Sequence, residues 1–401
     1  MPRPGAAGHL AVNHAIIKWL RAQGHEVTVL LTGARLAGPV ELYAEAHVAG
    51  PHVRHFGRAL FVTSPRALVA QAARAVLRCL PRSLAARLRA ARNQGDAMLG
   101  AFAAPRDIRW CAQAVARLAP EAVLVDTIFR GPLLVEPELR GINSVIIAHD
   151  LFHRRAMAFE AAGYTVRPAG LTRAHEAALL SRARAVGASQ PDEAEAIRAM
   201  CPQLTVFTVL KPAMLRPPPP AVRRIPGRLV FIGSAALPNL DGMRWFLAEI
   251  WPQLAGHGIT LDIIGACGTT LRRLPPGVRA CGVVAELAPL LHQAALAIAP
   301  LRTGSGIKVK LLDYARHGLA TVVTPPALAG FQAAAEAPFI VAGSAVMFAE
   351  AVRRSAHNPA PPDRAMAYCV KYYGEVASFG GLEAALRAPG TVPAALYSGA
   401  V

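Results

Sequence analysis

The stretch APLRTGSGIKVKLLDYARHGLATVVT, residues 299–324, decides the fold of the second half of the chain. The apolar run that ends at Pro300 predicts a buried strand, the glycines that follow predict a loop, and the apolar spacing from Ile307 to Ala315 predicts a helix. A β-branched run at residues 320–324 predicts the next strand. A strand, a helix and a second strand in this order form a βαβ unit, which places both strands in a parallel sheet.

The junction between this loop and the helix has the chemistry of a phosphate site. Glycines let the backbone approach a ligand, and the free N–H groups of a first helical turn favour negative charge. Lys308 and Lys310 add positive charge there, and Asp313 offers a carboxylate to sugar or ribose hydroxyls. Lys310 and Asp313 are also spaced as an exposed i,i+3 ion pair, which stabilises a helix by only ~0.2–0.5 kcal/mol. The residues alone leave both interpretations open.

The rest of the chain repeats the alternation of apolar strands and helical patterns. The predicted strands are residues 27–31, 122–126, 145–148 and 206–210 in the first half, and residues 228–233, 260–265, 296–300 and 320–324 in the second. Helical stretches lie between them, as they do in doubly wound sheets. The sequence therefore predicts an α/β protein with two Rossmann-like, doubly wound domains.

Proline marks the boundary between the two halves. Residues 211–227 contain six prolines, which cannot continue a helix or a central strand and predict a stiff connector. We expect residues 1–210 to form the first domain and residues 228–358 to form the second. Residues 359–401 are expected to form a helical tail that packs back on the first domain.

The composition is that of a folded protein with an excess of basic charge. The 401 residues are 53% hydrophobic and 17% charged, which excludes a disordered or collagen-like chain. The longest apolar stretch falls short of the ~20 residues that span a bilayer. The chain has 43 Lys and Arg residues against 25 Asp and Glu, a net charge of +18. This excess indicates acidic partners, or it reflects an arginine-rich genome and has no binding role.

The six cysteines are scattered, with no CxxC pair and no histidine at metal-ligand spacing. This pattern predicts reduced, mostly buried thiols and no metal site. Prolines and glycines interrupt the first residues, so Met1 is not expected to open a signal peptide. We therefore expect a cytoplasmic protein.

Arginine accumulates in one acid-free stretch between Glu45 and Asp96. Its arginines are Arg54, Arg58, Arg66, Arg74, Arg78, Arg82, Arg87, Arg89 and Arg92. Apolar residues recur at helical spacing between Leu68 and Leu80. The pattern is typical of an amphipathic helix on anionic headgroups at the inner membrane face, and equally of a solvated basic face on an ordinary surface helix.

Several motifs resemble the retaining GT-B glycosyltransferases of group 1, or family four. The main one is the run from Gly304 to Tyr314, followed by HGLATVVT at residues 317–324, which is similar to the donor-site signature of that family. Phe231–Ser234, with Pro238, Asn239, Trp245 and Phe246 after it, resembles the opening of the second domain of the family. Residues 263–265 and 281–284 are similar to its next two strand ends. In the first half, GHEVTVL at residues 24–30 and Ala148–Asp150 resemble its strand entry and its histidine-containing strand end.

The resemblance implies two Rossmann-like domains that face a cleft, and transfer of a sugar from a nucleotide sugar with retention of configuration. It implies no cofactor and no metal, because backbone N–H groups and lysines stabilise the leaving diphosphate. The residues it assigns to donor binding are Gly233, Ser234, Gly282, Val283, Thr303, Gly304, Ser305, Gly306, Ile307 and Lys310. The candidate catalytic residues are His149, Lys308 and Asp313, with Asp313 on the ribose and His149 on the reacting sugar. A buried His149 that satisfies a backbone group is the alternative.

Two departures from the family pattern bear on these assignments. Many relatives carry two glutamates in an E-x7-E arrangement, where this chain has Ser305 and the shorter Asp313. Relatives also begin with a strand and a glycine-rich loop, whereas this chain begins at the glycine-containing segment 4–8. The first strand of the first domain is therefore expected to be missing, which would leave two neighbouring strands without a ladder partner.

Three functions are compatible with the sequence. The first is a glycosyltransferase that acts on an envelope or exopolysaccharide acceptor, either a glycan or a lipid-linked one. The second is a non-catalytic GT-B relative that binds a nucleotide sugar or an anionic membrane lipid. The third is nucleic-acid binding driven by the +18 charge, and we do not expect it, because no nucleic-acid module or aromatic stacking platform accompanies the arginines.

Overall fold

A computed structural model describes residues 9–33, 36, 38–69, 72, 96–161, 163–210, 212–271, 273–303, 307–331 and 333–387. The chain forms two compact units: unit 1 comprises Met1–Lys211 and Phe379–Val401, and unit 2 comprises Pro212–Ser378. The proline-containing stretch after residue 211 is thus part of unit 2. No helix in the described ranges is both long and apolar enough to cross a bilayer.

The helices and strands alternate along both units. The helices are α1 (His9–Ala22), α2 (Pro105–Leu118), α3 (Phe152–Ala161), α4 (Arg173–Leu180), α5 (Pro191–Met200), α6 (Leu237–Trp245), α7 (Ala266–Thr270), α8 (Ala288–Gln293), α9 (Val309–Arg316), α10 (Ala345–Ala356), α11 (Asp363–Tyr373) and α12 (Glu375–Arg387). The strands are β1 (Thr28–Leu30), β2 (Val40–Leu42), β3 (His47–Ala49), β4 (Val53–Phe56), β5 (Ala59–Val62), β6 (Asp96–Met98), β7 (Ala122–Asp126), β8 (Asn143–Ala148), β9 (Thr165–Arg167), β10 (Ala185–Ala188), β11 (Thr205–Thr208), β12 (Ile225–Ile232), β13 (Thr260–Ile264), β14 (Val278–Gly282), β15 (Ala294–Ala299), β16 (Thr321–Val323) and β17 (Phe339–Val341).

Unit 2 contains one six-stranded parallel sheet in the order β14-β13-β12-β15-β16-β17. Every residue of β15 is buried, as expected for the continuous apolar run of a parallel strand covered on both faces. The strand order reverses between β12 and β15. In doubly wound sheets ligands bind at such a reversal, outside the carboxyl ends of the strands.

Arg224 fixes the end of the proline-containing stretch onto unit 2. Its guanidinium donates hydrogen bonds to four backbone carbonyls, those of Leu291, Ala294, His317 and Gly318, at 2.7–3.3 Å. Burial lowers the pKa of this guanidinium. Five N–H donors in a rigid fork suit Arg to this task, and the contacts explain why the prolines belong to a folded unit.

Unit 1 is built around a four-stranded parallel sheet in the order β11-β10-β8-β7. In the described part of unit 1, β1 forms a ladder only with β3, and β7 forms a ladder only with β8. The residues of β1 and most of β7 are half-buried, whereas β8 and β10 are fully buried. Within the described ranges, one edge of β1 and one edge of β7 thus have no partner strand, and the first described element is helix α1.

Two cores hold the sheet of unit 1 in place. One packs α2, α4 and α5 against residues such as Ile146 and Val186, which are fully buried. The other joins α1 to Phe207 and to the C-terminal residues Phe379 and Leu382. A separate antiparallel sheet, β2-β5-β4, covers a small core of its own around Leu60.

Candidate functional site

The strand reversal in unit 2 brings together the segments that follow β12 and β15. Gly233 and Ser234 come directly after β12, and Pro300–Thr303 come directly after β15. Asn239 of α6 lies over the first segment, because its side-chain amide donates to the carbonyl and the hydroxyl oxygen of Ser234 at 3.1 and 3.2 Å. The motifs predicted these residues from separate parts of the sequence, and the fold brings them together at the carboxyl ends of β12 and β15.

Lys310 points into this junction. Its Nζ donates to Asn239 Oδ1 at 2.6 Å and lies 4.2 Å from the ring centroid of Phe231. Burial is the main reason that the Lys310 pKa is lowered to about 7, and the charge of Lys308 acts in the same direction. An exposed ion pair with Asp313, the alternative from the sequence, is not what the structure shows for Lys310.

Helix α9 begins at Val309, and Lys308 is its N-cap residue. Burial also lowers the pKa of the Lys308 ammonium group. Two partly desolvated lysines at a helix start, where amide N–H groups are unpaired, form an environment that favours an anion. Of the other residues predicted for phosphate, Gly304, Ser305 and Gly306 lie outside the described residues, whereas Thr303 is exposed and Ile307 is half-buried.

Asp313 lies one turn further along α9. Its carboxylate accepts a hydrogen bond from Arg316 Nε at 2.9 Å, and both side chains are about one-fifth exposed. The pair lies on the same helix as Lys308, with Tyr314 beside it. Tyr314 is fully buried and its hydroxyl accepts the Ile232 N–H at 2.7 Å, so it ties α9 to the end of β12.

Two glycines permit close packing at the carboxyl ends of these strands. Gly265 has a φ of +95°, and a Cβ there would lie 2.4 Å from the carbonyl oxygen of Gly233. A Cβ on Gly242 of α6 would lie 2.4 Å from the carbonyl oxygen of Pro300. Both distances are far below van der Waals contact, so only glycine lets these backbones approach.

Gly282 and Val283 lie at the carboxyl end of β14, at the edge of the sheet. Two strands, β13 and β12, separate them from β15. Gly282 has a φ of +66°, and its carbonyl accepts the Gly265 N–H at 2.6 Å. Val283 is 84% exposed, so its side chain is available to a ligand.

Unit 1 carries a second polar cluster at the carboxyl end of its sheet. His149 follows β8, and its Nε2 lies 2.9 Å from Asp126 Oδ1 at the end of β7. Asp126 Oδ1 also accepts from the Asn13 amide at 3.0 Å, and Ser189 Oγ lies 3.4 Å from His149 Nδ1. Two side chains thus contact the His149 imidazole, and one of them is a carboxylate that fixes its orientation.

Sequence reasoning missed two neighbours of this cluster. Thr127 follows Asp126 with a φ of +66°, which is rare for a β-branched residue, and its buried hydroxyl has no hydrogen-bond partner among the described residues. Glu193 lies in the first turn of α5, and burial, with Asp150 and Glu176 nearby, raises its pKa to about 8. Neither belongs to a recognisable motif; only the three-dimensional placement reveals them.

The described residues contain no group of three or more His, Cys, Asp or Glu side chains that could hold a metal ion. The cysteines in this part of the chain, Cys111, Cys201, Cys267, Cys281 and Cys369, are free thiols.

Two parallel α/β sheets, with an anion-type site at the strand reversal of the second, are the architecture of the GT-B fold. Residues 226–358, which lie within unit 2, match the family described as "Glycosyl transferases group 1", in agreement with the resemblance drawn from the motifs. A comparison with curated protein sequences gives no significant match.

Solved structures support the fold assignment. WaaG, a glycosyltransferase involved in lipopolysaccharide biosynthesis, is 14% identical with a TM-score of 0.50, over 94% of this chain and 95% of its own. Sucrose-phosphate synthase from Thermosynechococcus elongatus is 14% identical with a TM-score of 0.59, over 94% and 92%. TarM is 10% identical with a TM-score of 0.52, and the match covers 70% of this chain but spans only 58% of the length of TarM. At these identities the likeness is one of fold.

Proposed function

We propose that this protein transfers a sugar from a nucleoside-diphosphate sugar to an envelope or exopolysaccharide acceptor, with retention of configuration. The observation that carries the proposal is the pair of partly desolvated lysines, Lys308 and Lys310, at the start of a helix beside the strand reversal. A diphosphate there would restore the charge that burial disfavours on both ammonium groups.

The proposed chemistry depends on stabilising the leaving diphosphate. Preorganised N–H donors and lysine charge lower the barrier because they need no rearrangement when negative charge develops on the leaving oxygen. In this proposal Asp313 binds the ribose, Val283 and Gly282 hold the base, and His149, oriented by Asp126, contacts the reacting sugar. No metal ion or cofactor takes part.

Two structural relatives support the class of acceptor that we propose. WaaG is involved in lipopolysaccharide biosynthesis, and a TarM variant from S. aureus has been crystallised with UDP and α-GlcNAc-glycerol. We therefore propose a glycan or lipid-linked acceptor of the cell envelope. The free thiols of the described cysteines support a reducing compartment, which we propose is the cytoplasm.

A donor screen tests the proposal. The full chain is incubated with UDP-, GDP- and ADP-sugars, and release of the nucleoside diphosphate is measured with and without an envelope glycan extract. We expect release from one donor class, with NMR of the product showing the anomeric configuration of the donor. No release from any donor, with any acceptor fraction, would contradict the transferase.

The variant Lys308→Ala distinguishes a role in donor turnover from a role in the stability of the fold. We expect donor turnover to be abolished while the free energy of unfolding changes by less than ~1 kcal/mol, because the replacement opens no core cavity. Asp313→Ala should behave in the same way. Lys371→Ala, which removes an exposed lysine of the same unit, serves as the control. Unchanged turnover in both Lys308→Ala and Asp313→Ala would refute the site assignment.

One sequence feature favours a second function, a non-catalytic nucleotide-sugar binder. Ser305 stands where many relatives carry the first glutamate of the E-x7-E pair. Calorimetry distinguishes the two functions: binding of a nucleotide sugar that persists unchanged through hours of incubation with acceptor indicates a binder, and consumption of the donor indicates the enzyme.

A further inference from the structure

The antiparallel sheet β2-β5-β4 of unit 1 has an unusual outer face. Its inner face follows the expected pattern, because Val53, Leu60 and Val62 are buried against the small core beneath them. The solvent face of such a sheet normally alternates to polar residues. Here it does not, and the strand register shows which side chains share it.

Two rows of side chains form this outer face. Leu42 pairs with Ala59, which pairs with Phe56, and these three make the row next to the Gly57-Arg58 turn. Val40 pairs with Phe61, which pairs with Arg54, and these make the second row. We call these six residues, with Arg58 of the turn, the outer sheet face.

The apolar side chains of the outer sheet face are open to solvent. Phe56 is 82% exposed, Leu42 79%, Val40 50% and Phe61 41%. Burying such side chains is favourable, so leaving four of them together on a surface has a cost. Contiguous exposed apolar patches on folded proteins mark interaction surfaces.

The charge around this face has one sign. Arg54 lies within the second row, Arg58 lies at the turn, and both are exposed. Glu41 belongs to β2 but alternates to the inner side of the sheet, opposite Leu60. From residue 46 to residue 95 the sequence has no Asp or Glu and nine arginines.

The chain directly after β5 also combines exposed apolar side chains with an exposed arginine. Arg66 is exposed, and so are the apolar side chains of Leu68, at 38%, and Val69, at 70%. These residues open the amphipathic pattern that the sequence indicated. The rest of that pattern, through Leu80 and Arg92, lies largely outside the described residues.

We propose that the outer sheet face is a membrane-docking surface that inserts Phe56, Leu42 and Phe61 among the headgroups of an anionic lipid bilayer. Aromatic and aliphatic side chains enter the boundary between headgroups and acyl chains, and the long stems of Arg54 and Arg58 let their guanidinium groups reach phosphates. Such docking would bring the proposed transferase to a lipid-linked acceptor, but it does not depend on catalysis.

Charge favours a lipid surface over a second copy of the chain as the occupant. Two copies that met through this face would bring Arg54 and Arg58 of each against those of the other, with no carboxylate on the face to compensate. Like charges held together oppose association. An anionic bilayer instead complements every charged group of the outer sheet face, and each near-surface arginine there strengthens binding about fivefold.

Vesicle sedimentation with the full chain and no donor tests the proposal. We expect at least about tenfold stronger binding to phosphatidylcholine vesicles with about 30 mol% phosphatidylglycerol than to pure phosphatidylcholine. The binding should weaken when salt is raised from about 0.1 M to about 0.5 M, since the Debye length shortens. Equal binding to both vesicles, or binding to neither, would overturn the proposal.

Matched variants locate the surface. Phe56→Ser with Phe61→Ser should weaken vesicle binding by about tenfold or more, because two inserted rings are lost. The control, Val346→Ser with Met347→Ser, removes two apolar side chains of α10 that are 63% and 53% exposed and should bind as the unaltered chain does. Arg54→Glu should weaken binding more than Arg173→Glu, an equal charge change at another exposed site of unit 1.

Two further readouts make the outcome decisive. Phe56→Trp should show fluorescence quenching by brominated lipid beyond that of the unaltered chain, because the new ring enters the bilayer. Light scattering without vesicles reports the second-copy alternative. A dimer that Phe56→Ser with Phe61→Ser converts to a monomer, without any change in vesicle binding, would assign the face to self-association and overturn the proposal.

Discussion

The environment of Lys310 differs greatly from the aqueous one that an ammonium group prefers. Lys310 is partly buried, its Nζ is bound to an amide oxygen 2.6 Å away, and its pKa is lowered to about 7. In an unfolded chain the Lys310 pKa lies near 10.4. Between these two values the unfolded state binds more protons than the folded one, so this residue makes stability rise as pH increases from about 7 to about 10.

Lys310→Met should therefore change both stability and binding. We expect a higher Tm than that of the unaltered chain at neutral pH and a flatter dependence of Tm on pH up to about 10, because the desolvated ammonium group is gone. Donor affinity of the unaltered chain should fall as pH rises through about 7, and the variant should bind donor weakly at every pH. Thermal unfolding and calorimetry across this range measure both, with exposed Lys18→Met as control. Parallel Tm profiles for Lys310→Met and the unaltered chain would contradict the account.

Asp126 is the residue that orients His149. Its carboxylate accepts from the imidazole Nε2 and from the Asn13 amide, so an asparagine there would keep the shape but lose the charge. We expect Asp126→Asn to lower kcat by at least about tenfold, with donor affinity nearly unchanged. Steady-state kinetics and donor titration measure the two effects. Asp192→Asn, at an exposed position of unit 1, should leave kcat as it is.

At the scale of residues, the sequence predicts which side chains lie near the start of α9 but not which way each of them points. The motif identified Lys308, Lys310 and Asp313 as polar residues on one helix. Which lysine turns inward depends on Asn239 and Phe231, more than 70 positions away. Helical spacing could not supply that contact, and it could not supply the Arg316 partner of Asp313 in preference to Lys310.

At the scale of elements, Gly242 allows α6 to pack closely against the segment that follows β15. An alanine there would put a Cβ 2.4 Å from the carbonyl oxygen of Pro300, so either the helix or the loop after β15 must move. We expect Gly242→Ala to destabilise the protein by about 1–3 kcal/mol, as overpacking does, and to weaken donor binding because the loop carries the proposed site.

Gly380→Ala provides the matched comparison for that change. Gly380 lies in helix α12, and among the described residues nothing lies within 4 Å of the position that a Cβ would take, so only helix propensity acts. We expect it to stabilise by about 0.5–1 kcal/mol. Urea unfolding of the two variants should give changes of opposite sign; two changes of the same sign would show that close packing at Gly242 is not limiting.

Element prediction worked where a strand lies within a continuous apolar run. Residues 122–126 form β7 with the predicted bounds, β13 ends one residue earlier than predicted, and β15 begins two residues and ends one residue earlier. The four-residue strand β10, which contains a glycine, gave no such signal. The antiparallel sheet was missed because its outer face is as apolar as its inner face, which hides the period of two that marks a half-buried strand.

At the scale of the whole molecule, unit 1 depends on residues from both ends of the chain. Phe379 is 1% exposed, and its ring centroid lies 5.1 Å from that of Trp19 in α1. The buried Asn143 amide at the start of β8 donates to the carbonyls of Ala385 and Leu386 at 2.9 and 3.2 Å. Residues 379–387 are thus part of the core of unit 1.

Phe379→Ala should weaken unit 1 selectively. We expect a loss of about 3–5 kcal/mol in the free energy of unfolding of unit 1, the usual effect of removing a buried ring. Hydrogen exchange should speed up in β8 and β10 while β12, β13 and β15 keep their protection. Val376→Ala, at an 87% exposed position of the same helix, is the control. Equal loss of protection in both units would contradict their separate cores.

The sequence predicted that the C-terminal tail packs on the first domain, but it did not predict which of its residues do so. The sequence placed the tail from residue 359, because proline-rich residues precede a helical pattern there. The structure assigns α11 to unit 2, where it packs beside α9 and the Ala213 N–H donates to the Tyr373 carbonyl at 2.7 Å. Which sheet a terminal helix covers is set by tertiary contacts that composition does not encode.

The discontinuity of unit 1 also sets an order of events during translation. Unit 2 is a single uninterrupted segment, Pro212–Ser378, so a nascent chain holds all of it before the last residues of unit 1 leave the ribosome. Until Phe379 and Leu382 emerge, Trp19 and Phe207 lack the partners that shield them from water. The half of the protein that is synthesised first is therefore the half that finishes folding last.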